Sequence, residues 1–360
     1  AAQLGLKAAV VERDKVGGGC VNAGGRPAKE DSHQGGPVRA IPGLEELGLK
    51  VDRSGLDYGK AYAKSRKAAD TLSRGVIFLL KKNGVELIPG QATLAGPDAV
   101  TVGGRTVRAG AVVVATGSRP RQIPGFPFDG KIVLSSTDAL MLQRLPRRML
   151  VLGAGAIGIE FTHVLNAFGV EVHLVEMMDR ILPLEDAGSV AVLDKALRRR
   201  GVTIAAATKA VGLETSAGGA RVTLEDRAGG RTKVEADQVL VVTGRAPNTD
   251  GLGLERLGIG LERGFIPVGD GYRTRVPSVY AIGDVVDTPM LAHVASKEGE
   301  IAAEHIAGRP GQLRLDALSI PSGVYSEPQV AGFGLTEEKA LEAGRKFEKA
   351  VVPYRAAGKS

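Results

Sequence analysis

The sequence predicts an α/β protein built from parallel strand–helix units, and two observations carry that prediction. Strand-like apolar runs alternate with helical stretches, the pattern of helices laid over a parallel sheet. One unit is complete. Met149 to Gly153 reads as a strand, Ala154 to Gly158 as a tight glycine turn, Ile159 to Gly169 as a helix, and Val170 to Glu176 as the next strand. A length of 360 residues exceeds one ordinary domain and predicts two or three.

Composition narrows the function classes. Apolar residues make up 43% of the chain, enough for proper cores, yet no apolar run reaches the ~18 residues that span a bilayer. No signal-peptide pattern opens the chain, and Ala1 to Gly5 reads as the end of a helix. One cysteine excludes an internal disulfide and points to a reducing compartment, here taken as the cytoplasm. The net charge is +7, but basic and acidic residues are interspersed and aromatic residues are scarce. A solvated charged surface is therefore expected rather than a nucleic-acid groove, with no membrane partner and no metal site. The 50 glycines follow no collagen-like period and suit loops around phosphates.

The hexad Gly153-Ala154-Gly155-Ala156-Ile157-Gly158 follows a strand and opens a helix. In that context it predicts dinucleotide binding, the plainer alternative being a tight turn. Gly153 allows the turn, Gly155 lets the backbone approach a pyrophosphate, and Gly158 lets the helix pack close to the strand. The helix start offers free N–H groups to phosphate. Glu176 can accept from two ribose hydroxyls and repels a 2′-phosphate, which favours NAD over NADP. Arg180 is expected to be solvated. Val202 to Val242 reads as short strands with turns, an antiparallel excursion.

The octet Gly5 to Glu12 has the shape of Gly169 to Glu176: a glycine, a mostly apolar strand, then an acidic residue. Gly158 precedes Glu176 by 18 residues. The same offset before Glu12 places a first glycine fingerprint about six positions ahead of residue 1, so the sequence is expected to be a fragment.

Further motifs follow in order. Val16-Gly17-Gly18-Gly19-Cys20-Val21-Asn22-Ala23-Gly24-Gly25-Arg26-Pro27-Ala28-Lys29 resembles the GGTCLNVGCIPSK signature of the pyridine nucleotide-disulfide oxidoreductases. Ala115 to Pro120 is similar to that family's ATG loop, Thr243 to Thr249 to its GRxPNT, and Val279 to Val285 to its YAIGD segment. Leu291-Ala292-His293 matches the LAH that follows, and Tyr325-Ser326-Glu327-Pro328 resembles the opening of the dimerisation domain. The resemblance covers essentially the whole chain and is nearest to the dihydrolipoamide dehydrogenase branch.

The resemblance implies two Rossmann-like domains, for FAD and NAD, and the start of an α+β dimerisation domain. Residues 1–144 and 251–316 would form the split FAD domain, 145–250 the NAD domain, and 317–360 the partial dimerisation domain. It implies Glu12 at the FAD ribose, Ala92 at its adenine, Thr116 and Gly117 in the flavin loop, and Asp284 on the ribityl chain, with Ala292 and His293 beside it. Ala210 would meet the NAD adenine, and Gly244, in the GRxPNT-like motif, would be a further cofactor-binding residue. Lys29 would stand near flavin N5, paired with Glu160, where a cation favours reduced, anionic flavin. Cys20, Lys29 and Glu160 are the candidate catalytic residues. The partners implied are a nicotinamide dinucleotide, a small disulfide or dithiol, and a second copy of the full-length chain.

One departure changes the chemistry. The family's second redox cysteine is replaced by Gly25, so thiol–disulfide exchange by the two-cysteine route is closed. Cys20 is then either a charge-transfer thiolate or a small buried apolar residue. The family's C-terminal His–Glu base lies past Ser360, and His33, His163, His173 and His305 sit in no matching motif. Three readings stay open: a damaged dihydrolipoamide dehydrogenase relative, a soluble transhydrogenase-like flavoprotein, and a non-catalytic cofactor-binding protein. Asp31 to Arg39 is polar and glycine-rich where the family continues a helix, and no function attaches to it.

Overall fold

The computed structural model describes residues 1–309, 311–353 and 356. A short turn over Ala2–Leu4 ends at Gly5 in a left-handed conformation, as the sequence suggested, and leads into β1 (Ala9–Glu12). Helices α1 (Gly18–Asn22), α2 (Gly25–Glu46) and α3 (Tyr58–Lys82) follow, and β2 (Glu86–Pro89) returns to pair with β1 in parallel. Strands β3 (Ala92–Gly96), β4 (Ala99–Val102) and β5 (Arg105–Arg108) form an antiparallel meander. Then come β6 (Val112–Val114), β7 (Ser118–Pro120), β8 (Val133–Leu134) and α4 (Ser136–Ala139).

The complete unit read from the sequence is β9 (Arg148–Leu152), α5 (Ala156–Ala167) and β10 (Glu171–Val175). It continues through α6 (Ala187–Arg199) and β11 (Thr203–Ala205). The excursion comprises β12 (Thr208–Ser216), β13 (Gly219–Asp226) and β14 (Arg231–Ala236), all antiparallel. Strand β15 (Gln238–Val241) returns to the parallel sheet, whose order is β11-β10-β9-β15-β8. The two ends of the Val202–Val242 segment, β11 and β15, thus belong to the parallel sheet, and only its middle is antiparallel.

That sheet is buried on both faces, which explains its continuous apolar runs. Met149, Val151 and Leu240 face α5 and α6, packing with Ile159, Leu193 and Leu197. Leu150, Leu152, Val239 and Val241 point the other way, onto Val222 and Leu224 of the β12–β14 excursion. Alternation along each strand sends neighbours to opposite faces.

The remaining elements are β16 (Arg245–Pro247), paired with β7, and β17 (Val279–Ala281), parallel to β6. Helix α7 (Ala292–Ile306), strands β18 (Ser322–Val324) and β19 (Val330–Gly332), and α8 (Glu337–Glu342) close the chain. The segment expected to open a dimerisation domain, 317–360, lies partly outside the described residues (354, 355 and 357–360). Among the described residues, no helix is long and apolar enough to cross a membrane.

The repeat seen in the sequence is also geometric. Gly5 and Gly169 share φ near 84°, and β1 and β10 each pair in parallel with the next strand. Glu12 Oε1 accepts from Asp14 N at 2.9 Å, and Glu176 Oε1 accepts from Met178 N at 2.9 Å. The two acidic residues thus close the same local turn.

The Asp31–Arg39 run does not interrupt α2, which continues through Pro37 to Glu46. Packing against α5 accounts for its residue types. A Cβ on Gly35 would come within 3.4 Å of the Ala167 Cβ, so the glycine permits a close helix crossing. Arg39 Nη1 donates to His163 Nδ1 at 2.6 Å, which makes His163 a neutral acceptor at that nitrogen. Burial, then the Arg39 charge, push the His163 pKa down from 6.5 to about 4, with Glu327 opposing.

A depressed histidine pKa contributes stability that is full above 6.5 and is lost as pH falls through about 4. Urea unfolding of wild type and His163→Gln should therefore converge on acidification. The stability difference between them should shrink by on the order of 3 kcal/mol between pH 7 and pH 4. Parallel pH profiles would contradict this.

Candidate active site

One large cavity of about 3310 Å³ is lined by residues drawn from Ala1 to Tyr325. Of the residues singled out in the sequence, Glu12, Cys20, Lys29, Ala92, Thr116, Gly117, Gly153, Gly155, Glu160, Glu176, Ala210, Gly244, Asp284, Ala292 and His293 all line it. Gly158 does not. It lies inside the turn, where an added Cβ would stand 1.9 Å from the Gly153 carbonyl oxygen. Gly153 is constrained too, with φ at 105° and the Val242 carbonyl oxygen 2.7 Å from where a Cβ would be. Gly155 has open space beside it and caps α5 without any side-chain hydrogen bond. The first N–H groups of that helix are thus left for a ligand anion.

Glu176 is buried, and its Oε2 accepts from Ala154 N at 2.7 Å. It therefore fixes the glycine loop as well as lining the cavity. Arg180, expected to be solvated, instead donates to the carbonyls of Pro183 and Glu185 and pairs with Glu338 at 3.0 Å. A long side chain beside a turn of free carbonyls finds partners there.

The centre of the cavity is an ion pair. Lys29 Nζ donates to both oxygens of Glu160, at 2.6 and 2.8 Å, across 131 positions of chain. Glu160 is nearly buried on α5, while a third of the Lys29 side chain is exposed to the cavity. Tyr325 holds the pair from the third side. Its N–H donates to Glu160 Oε1 at 3.1 Å, and Lys29 Nζ lies 4.2 Å from its ring centroid. Tyr325 was visible only as part of a motif, since no spacing links position 325 to position 29.

Cys20 is exposed in this cavity, which corrects the reading of it as a small buried apolar residue. The short α1 turns its thiol outward instead of into a core. A Cβ added at Gly25 would stand 3.6 Å from Cys20 Sγ. Position 25 is thus adjacent to the thiol.

Further side chains hold the site in roles that no sequence pattern signalled. Asp284 accepts from the Ser118 hydroxyl, and Arg245 Nε donates to the same hydroxyl at 2.7 Å. Burial lowers the Arg245 pKa and Asp284 opposes the shift. Glu298, fully buried on α7, accepts from Gly283 N at 2.6 Å and so sets the loop that carries Asp284. Thr116 Oγ1 donates to the Asn248 carbonyl at 2.7 Å, joining two motifs far apart in the chain. His293 Nε2 donates to the Pro321 carbonyl at 3.0 Å, so that ring nitrogen carries the proton. Among the described residues no group of histidine, cysteine and carboxylate side chains could hold a metal.

The two loop glycines should separate experimentally. Gly158→Ala is expected to lower stability by about 2–4 kcal/mol, because backbone stands where the methyl must go. Gly155→Ala should leave the urea midpoint nearly unchanged. Equal losses in both variants would contradict the assigned roles.

Known proteins resemble this chain in sequence and in fold. The profile of the pyridine nucleotide-disulphide oxidoreductase family matches residues 1–299. A dihydrolipoyl dehydrogenase of Thermus scotoductus is 43% identical over 100% of this chain and 77% of its own length. One from Trypanosoma brucei brucei is 41% identical over 99% of this chain and 77% of its own length. The crystal structure of LpdA from Mycobacterium tuberculosis superposes with a TM-score of 0.85 at 30% identity, covering 94% of this chain and 74% of that one. The chain belongs to the pyridine nucleotide-disulphide oxidoreductase family.

Proposed function

We propose that this chain binds FAD and NAD(H) in the shared cavity and passes a hydride between nicotinamide and flavin without a redox disulfide. The observation that carries the reading is the Lys29–Glu160 pair, set in one cavity that the fingerprint turn and Asp284 also line. The residues fit both groups. Gly153 and Gly158 admit no side chain, so the turn lies close against the strand, and the uncapped start of α5 suits a pyrophosphate. Glu12, Ala92 and Asp284 line the same cavity and suit the ribose, adenine and ribityl chain of an FAD. FAD held there supplies a two-electron carrier matched to the hydride of NADH.

The chain's own residues supply the rest. Glu176 orients the NAD ribose and disfavours a 2′-phosphate through its charge. Lys29 presents a cation to the flavin edge, and Glu160 with Tyr325 fixes where that cation stands. Ser118 and Arg245 hold Asp284 in place to accept from the ribityl hydroxyls. Cys20 is the one thiol, and a dithiol substrate has no second sulfur in the chain to exchange with.

On this reading residues 1–144 and 251–316 hold FAD, 145–250 hold NAD(H), and 317–360 open the segment through which two copies pair. A reducing compartment such as the cytoplasm suits a chain with one thiol.

FAD fluorescence should be quenched on titration with the chain, and NADH should then reduce a quinone or dye acceptor with no dithiol present. NADPH should serve more than about tenfold worse, because like charges meet at Glu176. Dihydrolipoamide should give no turnover. Reduction of a thio-NAD analogue by NADPH would favour the transhydrogenase-like variant of the reading, and absence of any flavin quench would overturn it. Gly25→Cys supplies a second check. The new side chain starts 3.6 Å from the Cys20 sulfur, so mild oxidation should close a disulfide between it and Cys20, seen as the loss of two hydrogens by mass spectrometry. Two free thiols after oxidation would place position 25 elsewhere.

A further inference from the structure

Tyr325 directly follows β18 and is 47% exposed, so burial does not fix where its ring stands over Lys29. The chain just beyond it is tied down by charge. Glu327, two positions on, pairs with Arg39, whose Nε lies 3.2 Å from Glu327 Oε2. Arg200, which follows α6, places Nη2 at 3.8 Å from Glu327 Oε1, and its Nη1 donates to the Glu327 carbonyl. Between them, the Ser326 hydroxyl donates to the Pro328 carbonyl at 2.8 Å. The turn after β18 is thus bound twice: through the Tyr325 N–H to Glu160, and through Glu327 to two arginines.

A lone ion pair at a surface contributes little, and the Glu327 side chain is 58% exposed. Its partners differ. The Arg39 side chain is only 11% exposed, and that of Arg200 is largely covered too. Arg39 reaches across α5, where its Nη1 bonds His163, three positions after Glu160. Helices α2 and α5 therefore send two links to the same short turn. Lys29 and Glu160 meet Tyr325, while Arg39, backed by His163, meets Glu327. Burial, then the Arg200 charge, lower the Arg39 pKa, and Glu327 opposes the shift. Burial lowers that of Arg200, again against Glu327. Two such cations repel unless an anion stands beside them, and Glu327 supplies it.

We propose that Arg39 and Arg200 are positioning residues that act through Glu327: by clamping the turn after β18 they hold the Tyr325 ring over Lys29. None of the three touches Lys29 itself. Their effect on it passes through the two residues of chain that separate Glu327 from Tyr325. With the clamp closed, the Lys29 ammonium is confined between the Glu160 carboxylate and the face of the ring. With it open, the half-exposed ring is free to leave and the cation keeps only Glu160. The consequence for hydride chemistry rests on the flavin reading above; the hold of the clamp on Tyr325 does not.

The test uses the full chain without added flavin. Acetylation of Lys29 is followed by mass spectrometry at pH 8, relative to the exposed Lys131 in the same sample. Tyr325→Leu removes the ring and should speed Lys29 labelling by roughly two- to fivefold. Arg39→Gln and Glu327→Ala should each give a rise of the same size. In a Tyr325→Leu background neither should add anything further, whereas a general loosening of the fold would still add its own increment. Unchanged labelling in Glu327→Ala, or an effect that persists without the ring, would overturn the proposal. Should Arg39→Gln fail to fold, Glu327→Ala decides alone, since it alters a mostly exposed side chain. FAD quenching is scored separately. Faster labelling without quenching removes the flavin reading alone, and quenching with unchanged labelling removes only the clamp.

Discussion

The ion pair between Lys29 and Glu160 is the contact on which the site depends. It joins α2 in the first half of the chain to α5 directly behind the glycine turn, and Tyr325 from near the chain's end covers it. Glu160 is nearly buried, so removing Lys29 would leave its carboxylate with a single backbone donor. The two halves are thereby held with their loops facing one cavity. A misplacement of α2 against α5 would move the cation and the Cys20 thiol together, because both belong to the same α1–α2 turn of chain.

The two halves repeat one design. In the second, β9 lies between β10 and β15, with β11 and β8 outside. In the first, β1 pairs with β2, and β6 with β17, as two parallel pairs. Val10 and Val113, one from each pair, are both partly exposed and line the same large cavity. The acidic residue closing the second strand makes the same backbone bond in both halves. That shared bond, the matching glycine and the parallel pairing of each strand are what the two halves have in common.

The polar segment after Lys29 shows how a departure from a family's usual residues can be absorbed. Gly35 and Arg39 serve the crossing of α2 over α5, where His163 is kept neutral by burial and by the arginine beside it. Asp31, on the same helix, is buried with one carboxylate oxygen unpaired, while the Arg66 charge and the Ser65 hydroxyl act on it. Packing thus explains part of the segment, and electrostatics distinguishes the rest.

The sequence alone determined the parallel units, the fingerprint with its acidic partner, and the presence of a lone thiol opposite a glycine. Those features are local: turn geometry, strand alternation and residue counts are written within a few positions of each other. Tertiary structure decided what sits beside what. Tyr325 on Lys29, Glu298 beneath Gly283 and Ser118 on Asp284 are contacts between distant segments, and no periodicity encodes them. Cys20 was legible as a residue, but not as an exposed one, because exposure depends on where the short α1 stands against the other half. Arg180 was likewise legible as a charge, while its carbonyl partners were set by the fold of the loop around it.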